Sequence, residues 1–143
     1  IHGSLKNMQL SGVIDRIDTI GGKYRIVDYK SGKVKEADAE IQITEGETDL
    51  LKAFSKSKHA LQLAMYSYMF REKFDIPASE VGLLSLINVS KGLITLTDKN
   101  GKTLHQITDL FPEFLGLLME NIYETDFPFT HKVQQFSYCT YCT

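Results

Sequence analysis

Apolar and polar positions divide the chain into short strands and two helices. From Met8 to Ile20 the residues are mostly apolar and β-favouring, and Gly21-Gly22 follows, the composition of a tight hairpin turn. Lys23 to Tyr29 reads as the returning strand, ended by Ser31-Gly32. Glu36 to Leu51 carries six acids and no Lys or Arg, which predicts a solvated, mobile connection with a short helix beginning near Thr48. Leu61, Ala64, Met65, Tyr68 and Met69 then recur at the i, i+3, i+4, i+7 spacing of an amphipathic helix over 59–74, which Pro77 stops. Glu80 to Val89 reads as a largely buried strand, Leu93 to Thr97 as another, and Asn100-Gly101 as the turn into a third short strand at Lys102 to Ile107. A second helix is predicted over about 110–124, capped by Thr108 or Asp109 with Pro112 in its first turn. The order β-β-α-β-β-β-α, without internal repeats, is that of an α/β domain.

Composition narrows the class. A chain of 143 residues with a net charge of -2 suits one globular domain and is neither a basic nucleic-acid coat nor an acidic disordered tail. No stretch approaches the roughly 18 apolar residues of a membrane span, and two cysteines cannot make a disulfide framework. These features predict a soluble protein in a reducing, cytoplasmic compartment that does not bind membranes. The first residue is Ile1, and both ends read as cuts in a longer protein. The charge is banded: residues 1–35 carry a net +4, 36–51 a net -6 and 52–58 a net +3. Near-neutrality of the whole is therefore compatible with a local site for a polyanion.

The hairpin carries the chemistry. If Gly21-Gly22 is a two-residue loop, cross-strand partners have numbers summing to 43, so Asp18 faces Arg25 and Asp15 faces Asp28. The alternatives are a surface hairpin whose acids happen to face each other, and a loop of three or four residues that shifts the register. In the two-residue register, Asp15 and Asp28 hold their Cβ atoms about 4.5–5.5 Å apart, an arrangement that repels unless a cation intervenes. Alternation puts Lys30 on the same face as Asp28, roughly 7 Å along the strand. Asp18 points the other way, where its pairing with Arg25 fixes the register. Two carboxylates suit Mg²⁺ or Mn²⁺, and a neighbouring ammonium can orient a water or offset developing charge during phosphodiester hydrolysis.

Gly12-Val13-Ile14-Asp15-Arg16-Ile17-Asp18, then Ile26-Val27-Asp28-Tyr29-Lys30-Ser31-Gly32-Lys33, then Gln62-Leu63-Ala64-Met65-Tyr66 resemble in order the core motifs of the PD-(D/E)XK nucleases, specifically the RecB-like (RecB/AddB-type) nuclease domain. The resemblance implies a restriction-endonuclease-like α/β core, a mixed central β-sheet flanked by helices. It further implies that Asp15, Asp28 and the main-chain carbonyl of Tyr29 are metal ligands, that Lys30 is the catalytic lysine, and that Gln62 and Tyr66 form the Gln-x-x-x-Tyr motif beside the active site. Their i, i+4 spacing independently puts both polar tips on one helix face. The implied function is a divalent-metal-dependent DNA nuclease, in exonuclease form, serving DNA repair and recombination, with DNA as partner and a helicase fused or associated. One departure stands out: the family takes another acidic or His ligand from a helix well before the first motif, and His2 is a poor substitute.

Cys139 and Cys142 form a lone C-x₂-C, which cannot complete a four-thiolate site. By resemblance to RecB-like nucleases that end in such a pair, they imply a [4Fe–4S] cluster completed elsewhere in a full-length parent. The competing assignments are free thiols and, more weakly, an iron-sulfur or redox domain. His59 and His105 sit in apolar-periodic contexts and read as structural, and His131 and Lys132 as a solvated tail. A nuclease-like module that binds DNA or a partner subunit without cutting is the alternative to the enzyme.

Overall fold

The computed structural model describes residues 9–44 and 47–123, and the side chains of 47–49 are outside that description. Gly21 and Gly22 have φ of 57° and 76°, the doubly left-handed backbone that only glycine adopts readily and that a two-residue hairpin turn requires. Strand β1 (Arg16–Ile20) and strand β2 (Lys23–Lys30) flank it as an antiparallel pair, from Ile20 opposite Lys23 to Arg16 opposite Val27. Every pair sums to 43. Asp18 takes Arg25 in a bidentate contact, with Nε and Nη2 each 2.9 Å from a carboxylate oxygen.

Strand β2 then meets β4 (Glu80–Ser85) in parallel, and β4 meets β5 (Ile94–Thr95) antiparallel, giving the mixed order β1-β2-β4-β5. A Cβ on Gly82 would lie 2.7 Å from the carbonyl oxygen of Ile94 and 2.8 Å from Cγ of Leu93, so this approach demands glycine. Short strands β3 (Glu40–Ile41) and β6 (Thr97–Asp98) make a separate parallel pair. Helix α1 (Glu47–Ser55) and helix α2 (Lys58–Phe74) follow β3, and helix α3 (Leu104–Tyr123) follows β6. Ser57 caps α2 by accepting from the N–H of Ala60 at 3.3 Å, and Asp75 ends the helix in the left-handed region before Pro77. The core joins Ile26 and Leu83 of the sheet, Leu63 and Phe70 of α2, and the cluster of Phe54, Phe111 and Phe114 from α1 and α3.

Several elements differ from expectation, each for a local reason. Residues 9–15 do not extend β1. Hydrogen-bonded pairs alternate along the hairpin, so a continued ladder would give the Tyr29 N–H to the carbonyl of Ile14; the carboxylate of Asp15 takes it instead, at 2.8 Å. The acidic stretch is more than a solvated connection, because it buries Ala39, Ile41 and Ile43 and contains a 3₁₀ turn at Glu36–Ala39. Strand β4 stops at Ser85, and the strand expected at 93–97 divides between two partners. No strand forms at Lys102–Ile107. Thr103 and Gln106 cap each other instead (Gln106 N–H to Thr103 Oγ1 at 3.3 Å, Thr103 N–H to Gln106 Oε1 at 2.9 Å), and α3 starts there. Thr108 is consequently mid-helix and buried, sharing a 2.7 Å hydrogen bond with Ser67 of α2. Pro112 is also interior; it leaves the carbonyl of Thr108 without its helical donor, and Nη2 of Arg71 approaches that oxygen at 3.4 Å.

Candidate active site

The N-terminal end of β1 and the C-terminal ends of β2 and β4 meet at one sheet edge, because β1 runs against β2 and β4 runs with it. Asp15, Asp28, Tyr29 and Lys30 lie there. Asp28 is 3% exposed, held on β2 between the buried Val27 and the half-buried Tyr29. Asp15 is exposed, one residue before the first paired position of β1, and its carboxylate reaches across to the Tyr29 amide.

Lys30 extends from β2 with its ammonium 2.8 Å from Oδ2 of Asp28. That contact is at ion-pair distance without hydrogen-bond geometry, and Oδ2 of Asp28 is buried with no hydrogen-bond donor. The ammonium donates instead to Oε1 of Gln62 at 2.9 Å, and Nε2 of Gln62 donates to the hydroxyl of Tyr66 at 2.7 Å. Gln62 and Tyr66 sit one turn apart on α2, so the helix presents a fixed polar arm to the strand. The structure thus brings Asp28, Lys30, Gln62 and Tyr66 into one connected row, with Asp15 at its hairpin end. A lysine has three N–H donors; one is committed to Gln62 and one side of the ammonium is turned to Asp28, which leaves further donor capacity.

His59 belongs to the same neighbourhood, which its apolar-periodic context did not suggest. It lies half-buried one turn before Gln62 on α2, and burial first, then the charges of Lys30 and Lys58, hold its imidazole below the usual histidine range. The signal was its i, i+3 relation to Gln62. A depression of about 350 Å³ opens beside it, lined in part by Asp38, Glu40, Lys58 and Lys99. His105, by contrast, is on the surface of α3, 3.5 Å from Asp109. On the outer side of the hairpin, Arg16 donates to the Tyr29 hydroxyl at 3.2 Å and pairs with Asp18 at 3.0 Å. Arg25 first, with Arg16, holds the Asp18 carboxyl below the usual range.

The donor set fits a hard divalent cation at the carboxylate end. Oδ2 of Asp28 is an oxygen removed from water and without a hydrogen bond, paired with the Lys30 ammonium at 2.8 Å, so it keeps acceptor capacity for a further cation. Asp15 keeps one carboxylate oxygen beyond the one that meets Tyr29. Among the described residues no group of three or more His, Cys, Asp or Glu side chains gathers as a ligand set, so main-chain oxygens and water would have to complete the shell. His2, His131, Lys132, Cys139 and Cys142 lie outside the described residues. Among those that are described, no helix is long and apolar enough to cross a membrane.

The family model for the PD-(D/E)XK nuclease superfamily matches residues 2–143. Comparison with curated proteins and with solved structures returned no match. The mixed sheet flanked by helices accords with the restriction-endonuclease-like fold of that superfamily.

Proposed function

The chain belongs to the PD-(D/E)XK nuclease superfamily, and on that footing we propose that it is a divalent-metal-dependent DNA nuclease of the RecB-like branch. Its reaction is hydrolysis: a water oxygen bonds to phosphorus, one P–O ester bond breaks, and a phosphate monoester and a hydroxyl result. The observation that carries this reading is the row of Asp28, Lys30, Gln62 and Tyr66, in which a buried carboxylate oxygen without a donor stands beside an ammonium anchored from a second element.

Asp15, Asp28 and the main-chain carbonyl of Tyr29 are the residues that would hold Mg²⁺ or Mn²⁺, which supplies Lewis-acid polarisation of a phosphoryl oxygen. Gln62, itself fixed by Tyr66, keeps the Lys30 ammonium from swinging away along its four-carbon stem. Lys30 then directs its remaining donor capacity at a non-bridging phosphoryl oxygen or at the attacking water. An ammonium fixed before the substrate arrives needs little reorganisation as charge develops. With the carboxylates of Asp15 and Asp28 offset by a divalent cation held there, the site accepts a phosphodiester without a large basic surface.

Exonucleolytic action in DNA repair or recombination, beside or fused to a helicase, is the biological setting that the RecB-like motifs support. Incubation of the protein with end-labelled DNA tests the reading. Cleavage is expected with Mg²⁺ or Mn²⁺ and is lost with a chelator, with mononucleotides or short fragments released from the ends. No cleavage, together with no carboxylate-dependent Mn²⁺ binding, would instead mark a nuclease-like module that binds DNA or a partner without cutting.

A further inference from the structure

Ten large hydrophobic side chains are prominently exposed among the described residues, and three of them fall within four consecutive positions: Leu86 at 57%, Ile87 at 62% and Val89 at 57%. This loop leaves β4 at the site. Ser85 is the register partner of Lys30, and the N–H of Leu86 donates to the carbonyl of Lys30 at 2.9 Å. The loop is internally tied. The N–H of Gly92 reaches the carbonyl of Val89 at 2.9 Å, that of Lys91 reaches Asn88 at 3.2 Å, and Ser90 Oγ donates to Asn88 Oδ1 at 2.8 Å. Val89 is therefore held in water within a formed turn that also carries the exposed Lys91, and Leu86 is tied through its N–H to the end of β2.

We propose that the Leu86–Val89 loop is a platform for a nucleobase next to the phosphate that Lys30 addresses, so that the site takes an unpaired strand or frays the end of a duplex. This rests on the nuclease reading of the same edge. A nucleotide presents a charged phosphate and, within one sugar of it, an apolar base face. The edge presents the matching sequence of an anchored ammonium and, one and two residues past its register partner, Leu86 and Ile87. Leucine and isoleucine are among the side chains that other proteins insert against unstacked bases, and base-face contact tolerates any sequence. Lys91 adds a cation for a neighbouring phosphate. A second copy of the chain is a poorer occupant, because three aliphatic side chains fall well short of the roughly 800 Å² per partner that stable interfaces bury.

The chain contains no tryptophan, so Ile87→Trp gives a single reporter at the platform. In chelator, a short single-stranded oligonucleotide should quench that fluorescence, and a strand of the same length built of abasic sites should not. In otherwise native protein, Leu86→Ser with Ile87→Ser should weaken binding of the single strand about tenfold, through lost apolar burial, and leave binding of the abasic strand unchanged; unchanged circular dichroism would show that the fold is kept. Equal quenching by the abasic strand, or single-strand affinity unaltered by the double substitution, overturns the proposal. A shift in sedimenting mass without a change in affinity also overturns it, in favour of self-association. With Mn²⁺ added, cleavage of the abasic strand should be equal in the native and doubly substituted proteins. Quenching without cleavage of any strand would leave the platform standing and remove the nuclease reading.

Discussion

Lys30 donates to Gln62 at 2.9 Å across 32 residues of sequence, which ties the end of strand β2 to helix α2. The bond fixes where a flexible ammonium stands, and Tyr66 fixes the bond. Gln62→Ala should therefore lower DNA cleavage by about 10²-fold, the order of loss expected when a reacting group is misplaced by about an ångström. Gln62→Glu, which keeps an acceptor for Lys30, should recover part of it. Mn²⁺ affinity should stay unchanged in both, a split that a merely structural glutamine would not produce.

A cation held by the carboxylates of Asp15 and Asp28 predicts a metal-linked stability. At a Mn²⁺ concentration 100 times its Kd, a cation bound only by the folded chain adds about 2.7 kcal/mol, which for a chain of this length raises Tm by about 5–10 °C. Asp28→Asn should abolish that rise. Equal rises in both proteins would place the ion elsewhere.

The hairpin lock titrates. Arg25 first, and Arg16 with it, lower the Asp18 pKa from its unfolded value of 3.8. A carboxyl depressed in the folded state contributes stability that is present above the unfolded value and is lost as pH falls through the folded one. Urea midpoints of the native protein and Asp18→Asn should therefore differ near pH 7 and converge as the pH falls below about 3.8.

Close approach at Gly82 predicts a backbone penalty. A methyl group there meets the Ile94 carbonyl and the Leu93 side chain inside 3.0 Å, so Gly82→Ala should destabilise by about 1–3 kcal/mol, read from the urea midpoint. Gly32→Ala, with open space around its Cβ, serves as the control.

What could be read before the fold was known depended on short-range rules. Gly21-Gly22 fixed the loop length and Asp18 with Arg25 fixed the register, so the hairpin pairing followed from local sequence, as did the helical spacing of Gln62 and Tyr66. The start of α3 did not. Leu104 and Ile107 suit a short strand as well as a helix, and only the Thr103–Gln106 cap and the docking of Thr108 on Ser67 decide the matter. The placement of His59 is not local either, since its surroundings include Lys30 on a distant strand. The departure of Asp15 from the ladder is also tertiary: one side-chain bond to Tyr29 replaces a main-chain pair.

If Asp28 and Lys30 carry metal-dependent phosphodiester hydrolysis, single-turnover cleavage of end-labelled DNA by Asp28→Asn and Lys30→Ala will show it. With circular dichroism matching the native protein, both variants should lose cleavage by about 10²–10³-fold or more, with Mn²⁺ binding lost in Asp28→Asn and kept in Lys30→Ala. Native cleavage rates in both folded variants would exclude that role for the two residues.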